Sequence, residues 1–176
     1  MKKNCIMLLL LGLMVSVLTG CGVEEYFNSQ RDSTDTEVKE LPKMVLNEPF
    51  RVTTVNGDYS VTINGARTTR ERNANSKTDP KQVLFLDFTY ENSSYEKRNN
   101  IDFFLAQGDF VVTDDEGNVL ETYNIKDPNR IIQETPIGGS CSASIAYGLE
   151  KESKNLTITF VRGKGREVAQ ITIPIE

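Results

Sequence analysis

The chain has no histidine and no tryptophan, and only three cysteines in 176 residues. Without imidazole there is no side chain whose ordinary pKa lies between pH 5 and 8. The usual base for a serine or cysteine nucleophile is missing, and so are the histidine-containing zinc sets. No Gly-x-Ser-x-Gly elbow is present. Gly163-Lys164-Gly165 is too short for a phosphate-cradling loop, and a strand pattern rather than a helix follows it. Basic residues are outnumbered, 20 to 25, for a formal charge of −5. That balance argues against nucleic acid and against purely electrostatic adhesion to an anionic membrane. No apolar run reaches the ~20 residues that a membrane-spanning helix needs.

What is present begins at the amino end. Lys2 and Lys3 precede an apolar run over residues 6–18, which closes in Leu18-Thr19-Gly20-Cys21. The order of positive charge, short apolar run and small residues is that of a cleaved signal peptide. Thr19 and Gly20 let the backbone extend into a peptidase groove, and only a cysteine supplies a thiol for thioether formation. The motif resembles the lipobox of bacterial lipoproteins. The resemblance implies loss of residues 1–20, a diacylglyceryl group on Cys21, and a mature protein held on the extracytoplasmic face of the cell membrane. Each buried methylene contributes about 0.8 kcal/mol, so two or more acyl chains hold almost permanently. Losing Lys2 and Lys3 makes the mature chain two charges more acidic, so the lipid must do the holding. Cys5 leaves with the signal and Cys21 is acylated, which leaves Cys141 alone and excludes an intramolecular disulfide.

Residues 21–47 mix Glu24, Glu25, Asp32, Asp35 and Glu37 with Ser, Thr, Asn and Gln, and have few large apolar residues. They read as a lipidated N-terminus and flexible tether, followed by one domain over residues 48–176. In that domain the apolar period is two. Tyr59, Val61 and Ile63 alternate with polar residues, as do Ile171, Ile173 and Ile175; Leu84, Leu86, Phe88 and Tyr90 alternate with Phe85, Asp87 and Thr89. Residues 50–55, 110–113, 119–123, 143–149 and 156–162 are further strand candidates. Residues 95–105 and 126–133 suit loops or a short helical turn. Asn56-Gly57-Asp58, Glu116-Gly117-Asn118 and Gly163-Lys164-Gly165 supply hairpin turns. The expected fold is all-β, an antiparallel sandwich of two sheets.

The succession of the Asn56-Gly57 hairpin, the strand ending in Tyr90-Glu91-Asn92-Ser93-Ser94, the turn Asp114-Asp115-Glu116-Gly117, and Pro136-Ile137-Gly138-Gly139 leading into Ala143-Ser144-Ile145-Ala146-Tyr147 carries a second resemblance. It is similar to the immunoglobulin-like domain of unknown function common in Gram-positive lipoproteins, which shares its sandwich with a secreted mycobacterial immunogenic antigen. The resemblance spans residues 46–176 and implies the fold; that family brings no catalytic residues to transfer.

The remaining chemical hints are local. Cys141 lacks a base and reads as a packing residue. Asp114, Asp115 and Glu116 miss the alternating carboxylate spacing of a calcium loop and read as a solvated turn. Arg67, Arg70 and Arg72, with Lys77 and Lys81, form the one basic stretch, expected in an exposed loop and a candidate contact for an anionic wall polymer or an acidic protein. No metal or cofactor is expected. The reading is an anchored binding or interaction module for an unknown protein or cell-envelope polymer. The alternatives are a passive structural or immunogenic surface protein, or a carboxylate-based envelope hydrolase.

Overall fold

The computed structural model describes residues 40–96 and 98–176. Leu18, Thr19, Gly20 and Cys21, with most of the tether, lie outside the described residues. Eight strands follow in order: β1 (Phe50–Thr54), β2 (Gly57–Thr69), β3 (Gln82–Asn92), β4 (Phe110–Thr113), β5 (Glu121–Thr122), β6 (Ser140–Leu149), β7 (Asn155–Arg162) and β8 (Arg166–Pro174). They form a five-stranded sheet, β1-β2-β3-β6-β5, and a three-stranded sheet, β4-β7-β8. Every named strand pair is antiparallel. The chain is an all-β, immunoglobulin-like antiparallel sandwich. No described helix is long and apolar enough to cross a membrane.

The period-two pattern becomes the inner face of each sheet. Register pairs Val61 with Tyr90 and Ile63 with Phe88, so alternate side chains from adjacent strands point together into the space between the sheets. After Ile63 the register slips by one at Gly65. The next inward residue is therefore Ala66, and the bulge keeps the second half of β2 facing the core. Leu84, Leu86, Phe88 and Tyr90 meet Leu156, Ile158 and Phe160 of β7 and Ile171 and Ile173 of β8 in one cluster. Tyr59 and Phe103 lie 4.5 Å apart, and Phe88 and Phe110 4.8 Å apart, between ring centroids.

The structure departs from the sequence reading in three places. Residues 42–47, assigned above to the tether, belong to the fold: the Met44 amide donates to the Gln170 carbonyl at 2.8 Å, and Met44 is buried in the core. Met44, with Leu46 packed against the same cluster, brings that run in. The strand expected over residues 119–123 shortens to β5, while Val119 makes only an isolated bridge to Thr113. Residues 95–105 and 126–133 are irregular, as the loop reading expects, and the one described helical turn is a 3-10 turn at Gln107–Asp109. Finally, β3 is buried on both faces. Tyr123 and Ile125 lie over Val83, Phe85 and Ala146 on the outer side of the five-stranded sheet, so residues 123–132 form a strap across what alternation alone assigns to solvent.

Candidate functional site

The strap is fastened where register brings charges together. Gly65, Asp87 and Ser144 lie in one row across β2, β3 and β6, and Arg67, Phe85 and Ala146 lie in the next row on the same face. Arg67 lays its guanidinium over the Phe85 ring at 4.6 Å. Its Nε donates to Asp87 Oδ2 at 2.9 Å, and its Nη2 donates to Asp127 on the strap. Ser144 Oγ also donates to Asp87. Burial works against the charge on Arg67, and the bonds to Asp87 and Asp127 outweigh it, raising its pKa. Two main-chain bonds complete the latch: Tyr123 N–H to the Ala146 carbonyl at 2.8 Å, and Ser144 N–H to the Arg130 carbonyl at 2.9 Å.

Between these two bonds the strap stands away from the sheet edge and leaves a groove of about 490 Å³, with Lys126, Arg130, Ile125 and Ile131 in its walls. Arg130 Nη1 stands 3.9 Å from Asp87 Oδ2, beyond hydrogen-bond distance. A second hollow, of about 540 Å³, is lined by Asp79, Asp114, Glu116, Glu121, Glu150 and Lys151 among others.

Of the residues the sequence offered as a site, Arg67 is corrected. It lies on β2 rather than in an exposed loop, because the register sets it against Phe85 and beside Asp87, and its charge is engaged internally. Arg70 and Arg72 are exposed just beyond β2. Arg72 Nη1 turns back onto the carbonyls of Thr69 and Glu71 at 3.0 and 2.9 Å. The three arginines therefore do not converge on one free cationic surface. Cys141, the second residue of β6, is half-buried, with Sγ 3.5 Å from the Ile131 carbonyl. Lys126, Asp127 and Arg130 escaped sequence reasoning altogether. Their only local signal is a cluster of charges around Pro128, which announces a turn and not a partner.

The acidic run 114–116 builds the turn that the sequence indicates. Asp114 Oδ1 accepts from the amides of Glu116 and Asn118 at 2.9 and 2.8 Å. Asp115 accepts from Asn155 Nδ2 at 3.0 Å, the Lys154 amide at 2.8 Å and Ser153 Oγ at 2.9 Å. The Asn155 side chain first, then the Lys154 amide and Ser153 hydroxyl, pull the Asp115 pKa down to about 2. Since the folded value lies below the unfolded one, its stabilisation is present above about pH 4 and is lost as pH falls toward 2. Asp115→Asn is expected to flatten the acid limb of an unfolding-midpoint profile over that window and to leave pH 5 to 8 level. An unchanged acid limb would show that these bonds do not hold the turn in solution.

Similar folds are found among solved structures. MPT63, a secreted protein from Mycobacterium tuberculosis, superposes with a TM-score of 0.57 at 10% identity, over 76% of this chain and 98% of that one. The candidate lipoprotein ycdA from Bacillus subtilis superposes with a TM-score of 0.51 at 13% identity, over 74% of this chain and 39% of that one. The fold relationship expected from the turn and strand signatures is thus present. At these identities the likeness is one of fold. The chain matches no protein-family model and no curated protein sequence.

Proposed function

We propose that the protein is a lipid-anchored, extracytoplasmic binding module: a β-sandwich tethered through Cys21 and presenting its grooves and loops to a protein or polymer of the cell envelope. The lipobox at residues 18–21 supports the placement. Similarity of fold to a secreted protein and to a candidate lipoprotein agrees with it. The observation that carries the binding role is where the acidic groups go. Asp87, Asp109, Asp114, Asp115 and Asp127 each accept hydrogen bonds that fasten a turn, a strand or the strap. These five acids are committed to structure and so are not free to act as the facing pair of a two-carboxylate hydrolase.

Two measurements test the two halves of the proposal. With Cys21→Ala, incorporation of a labelled fatty acid is expected to fall to background, with the protein released or left as uncleaved precursor. Undiminished labelling would end the anchoring model. For the binding role, photo-crosslinkers placed singly around both grooves and at the Val55 hairpin in intact cells should give a discrete adduct from a contiguous set of positions. Adducts from none of them would leave a passive surface protein as the better description.

A further inference from the structure

We infer that the groove beside the strap binds a small amphipathic oxyanion, with its phosphate or carboxylate head on Lys126 and Arg130 and its apolar body against Ile131 and Ile125. The inference rests on the binding-module reading and narrows it to one ligand chemistry.

The local charges are unequal. Three cations, Arg67, Lys126 and Arg130, gather around two carboxylates, Asp87 and Asp127. Asp87 is already served by Arg67 and Ser144, and Asp127 by Arg67 and the Asn129 amide. Arg67 thus bridges both acids, and its charge is engaged within the fold. Arg130 donates no side-chain hydrogen bond among the described residues; its nearest acid oxygen, on Asp87, lies 3.9 Å away. Lys126 is exposed and forms no described ion pair. Lys126, and Arg130 with no more than a 3.9 Å ion pair to Asp87, line the same cavity, in a protein that is acidic overall. A concave wall of low polarity strengthens their field. A planar guanidinium beside a flexible ammonium suits an oxyanion with several acceptor oxygens.

The rest of the cavity sets the size and the apolar part. About 490 Å³ falls within the range of small-molecule sites. Ile131 is a large apolar side chain left 50% exposed next to Arg130 in sequence, and Ile125 and Ala146 continue that surface inward. A bare inorganic anion would leave this apolar wall wet, while a neutral apolar molecule would leave both cations unanswered. A carboxylate or phosphate on a compact apolar body satisfies both.

The test uses the full-length lipidated protein in neutral-detergent micelles, titrated calorimetrically against empty-micelle blanks with phenyl phosphate, phenylacetate, phenol and inorganic phosphate. Phenyl phosphate or phenylacetate is expected to saturate with a dissociation constant of about 1 mM or tighter, and the tighter of the two identifies the head group. Phenol and inorganic phosphate should bind roughly tenfold more weakly or worse. The Lys126→Ala, Arg130→Ala double variant should weaken the preferred probe by roughly tenfold, and Ile131→Ser by about threefold. The latch survives these changes, because it uses Arg67, Asp87, Asp127 and the main chain of Arg130. Lys126→Glu alone provides a second, surface-only variant expected to weaken binding. No saturable binding by either aryl anion, unchanged binding in Lys126→Glu or the double variant, or equal affinity for inorganic phosphate would each overturn the site. So would an equal loss in an Arg70→Ala, Arg72→Ala control. Failure here, with acyl labelling and in-cell adducts intact, would remove the anion site and leave the binding module standing.

Discussion

Replacing Phe85 with alanine is expected to lower stability by about 3 kcal/mol and to loosen residues 123–132, although Phe85 points away from the space between the two sheets. The ring is 3% exposed and packs with Val83, Tyr123 and Ala146 under the strap. Its loss removes buried apolar surface and opens a cavity that the strap can only partly fill. It also removes the face on which Arg67 lies, worth a further ~0.5–1 kcal/mol at a partly exposed site. Two reporters follow from the latch: the Tyr123 amide, bonded to Ala146, and the Ser144 amide, bonded to Arg130. Both should exchange with solvent faster in the variant than in the parent, while amides in the β7–β8 ladder keep their relative order. Thr89→Ala, two pairs further along the same face of β3, is the comparison, since Thr89 is only half-buried. If Phe85→Ala costs no more than Thr89→Ala in urea denaturation, the strap does not cover the sheet in solution.

That contrast shows where sequence reading reached and where it stopped. Tyr59, Val61 and Ile63 on β2, Leu84 to Tyr90 at alternate positions on β3, and Ile171 and Ile173 on β8 were legible as inner-face residues, because the period of a strand is a local property. The fold class follows from those periods and from the turns between them. The outer face of β3 was not legible. Phe85 and Asp87 occupy the alternate positions, and from the sequence alone they belong to a solvated face. Their cover, Tyr123 and Ile125, comes from nearly forty residues downstream. The same distance hides the candidate site. Arg67 stands in a basic stretch with Arg70 and Arg72, and the acids that claim it, Asp87 and Asp127, are 20 and 60 residues away. A cluster of like charge in sequence was therefore separated in space by partners from elsewhere, whereas Lys126 was left without a described ion pair, and Arg130 with only a 3.9 Å one to Asp87, once Asp127 was taken by Arg67. The tether boundary failed for a smaller reason. Met44 reaches the core and Leu46 packs against it, and two side chains at the end of a polar stretch do not change the composition of a long window.

The signal segment and the sandwich speak to different questions. On the proposed reading, residues 1–21 set location through chemistry at one thiol. On the same reading the sandwich does the binding, and its ionic groups divide into those that fasten segments and those that face a groove. Arg162 belongs to the first kind. It bonds Asp109 and lies 5.3 Å over the Tyr59 ring, so the 3-10 turn is held against the end of β7. Burial raises the Tyr59 pKa to about 12, which keeps that phenol neutral wherever the domain is folded. Lys126 and Arg130 belong to the second kind, and this division is what makes a mutational separation of stability from binding feasible.

Gly57→Ala should be among the most damaging single changes available, at about 4 kcal/mol. Gly57 closes the β1–β2 hairpin opposite Thr54 with φ +114°, a conformation that L side chains rarely adopt. A Cβ there would lie 2.2 Å from the Ser94 carbonyl oxygen. That oxygen cannot retreat cheaply. The Ser93 and Ser94 amides both donate to the Asp58 carbonyl at 3.1 and 2.9 Å, and the Glu96 amide donates to the Asn56 carbonyl at 2.9 Å. Ser94 Oγ accepts from the Asp58 amide at 3.0 Å. Displacing residues 93–96 would also withdraw Tyr95, whose ring meets Tyr59 at 5.7 Å and Phe103 at 5.2 Å. Gly117→Ala isolates the backbone part of the effect, because Gly117 also has positive φ, +83°, but nothing lies within 4 Å of its added Cβ. The expected cost at Gly117 is about 1–2 kcal/mol of conformational strain, so the excess at Gly57 measures the contact between the hairpin and residues 93–96. Equal midpoint shifts for the two variants would mean that this contact yields without resistance, and that the Val55 hairpin is not fixed against its neighbouring loop.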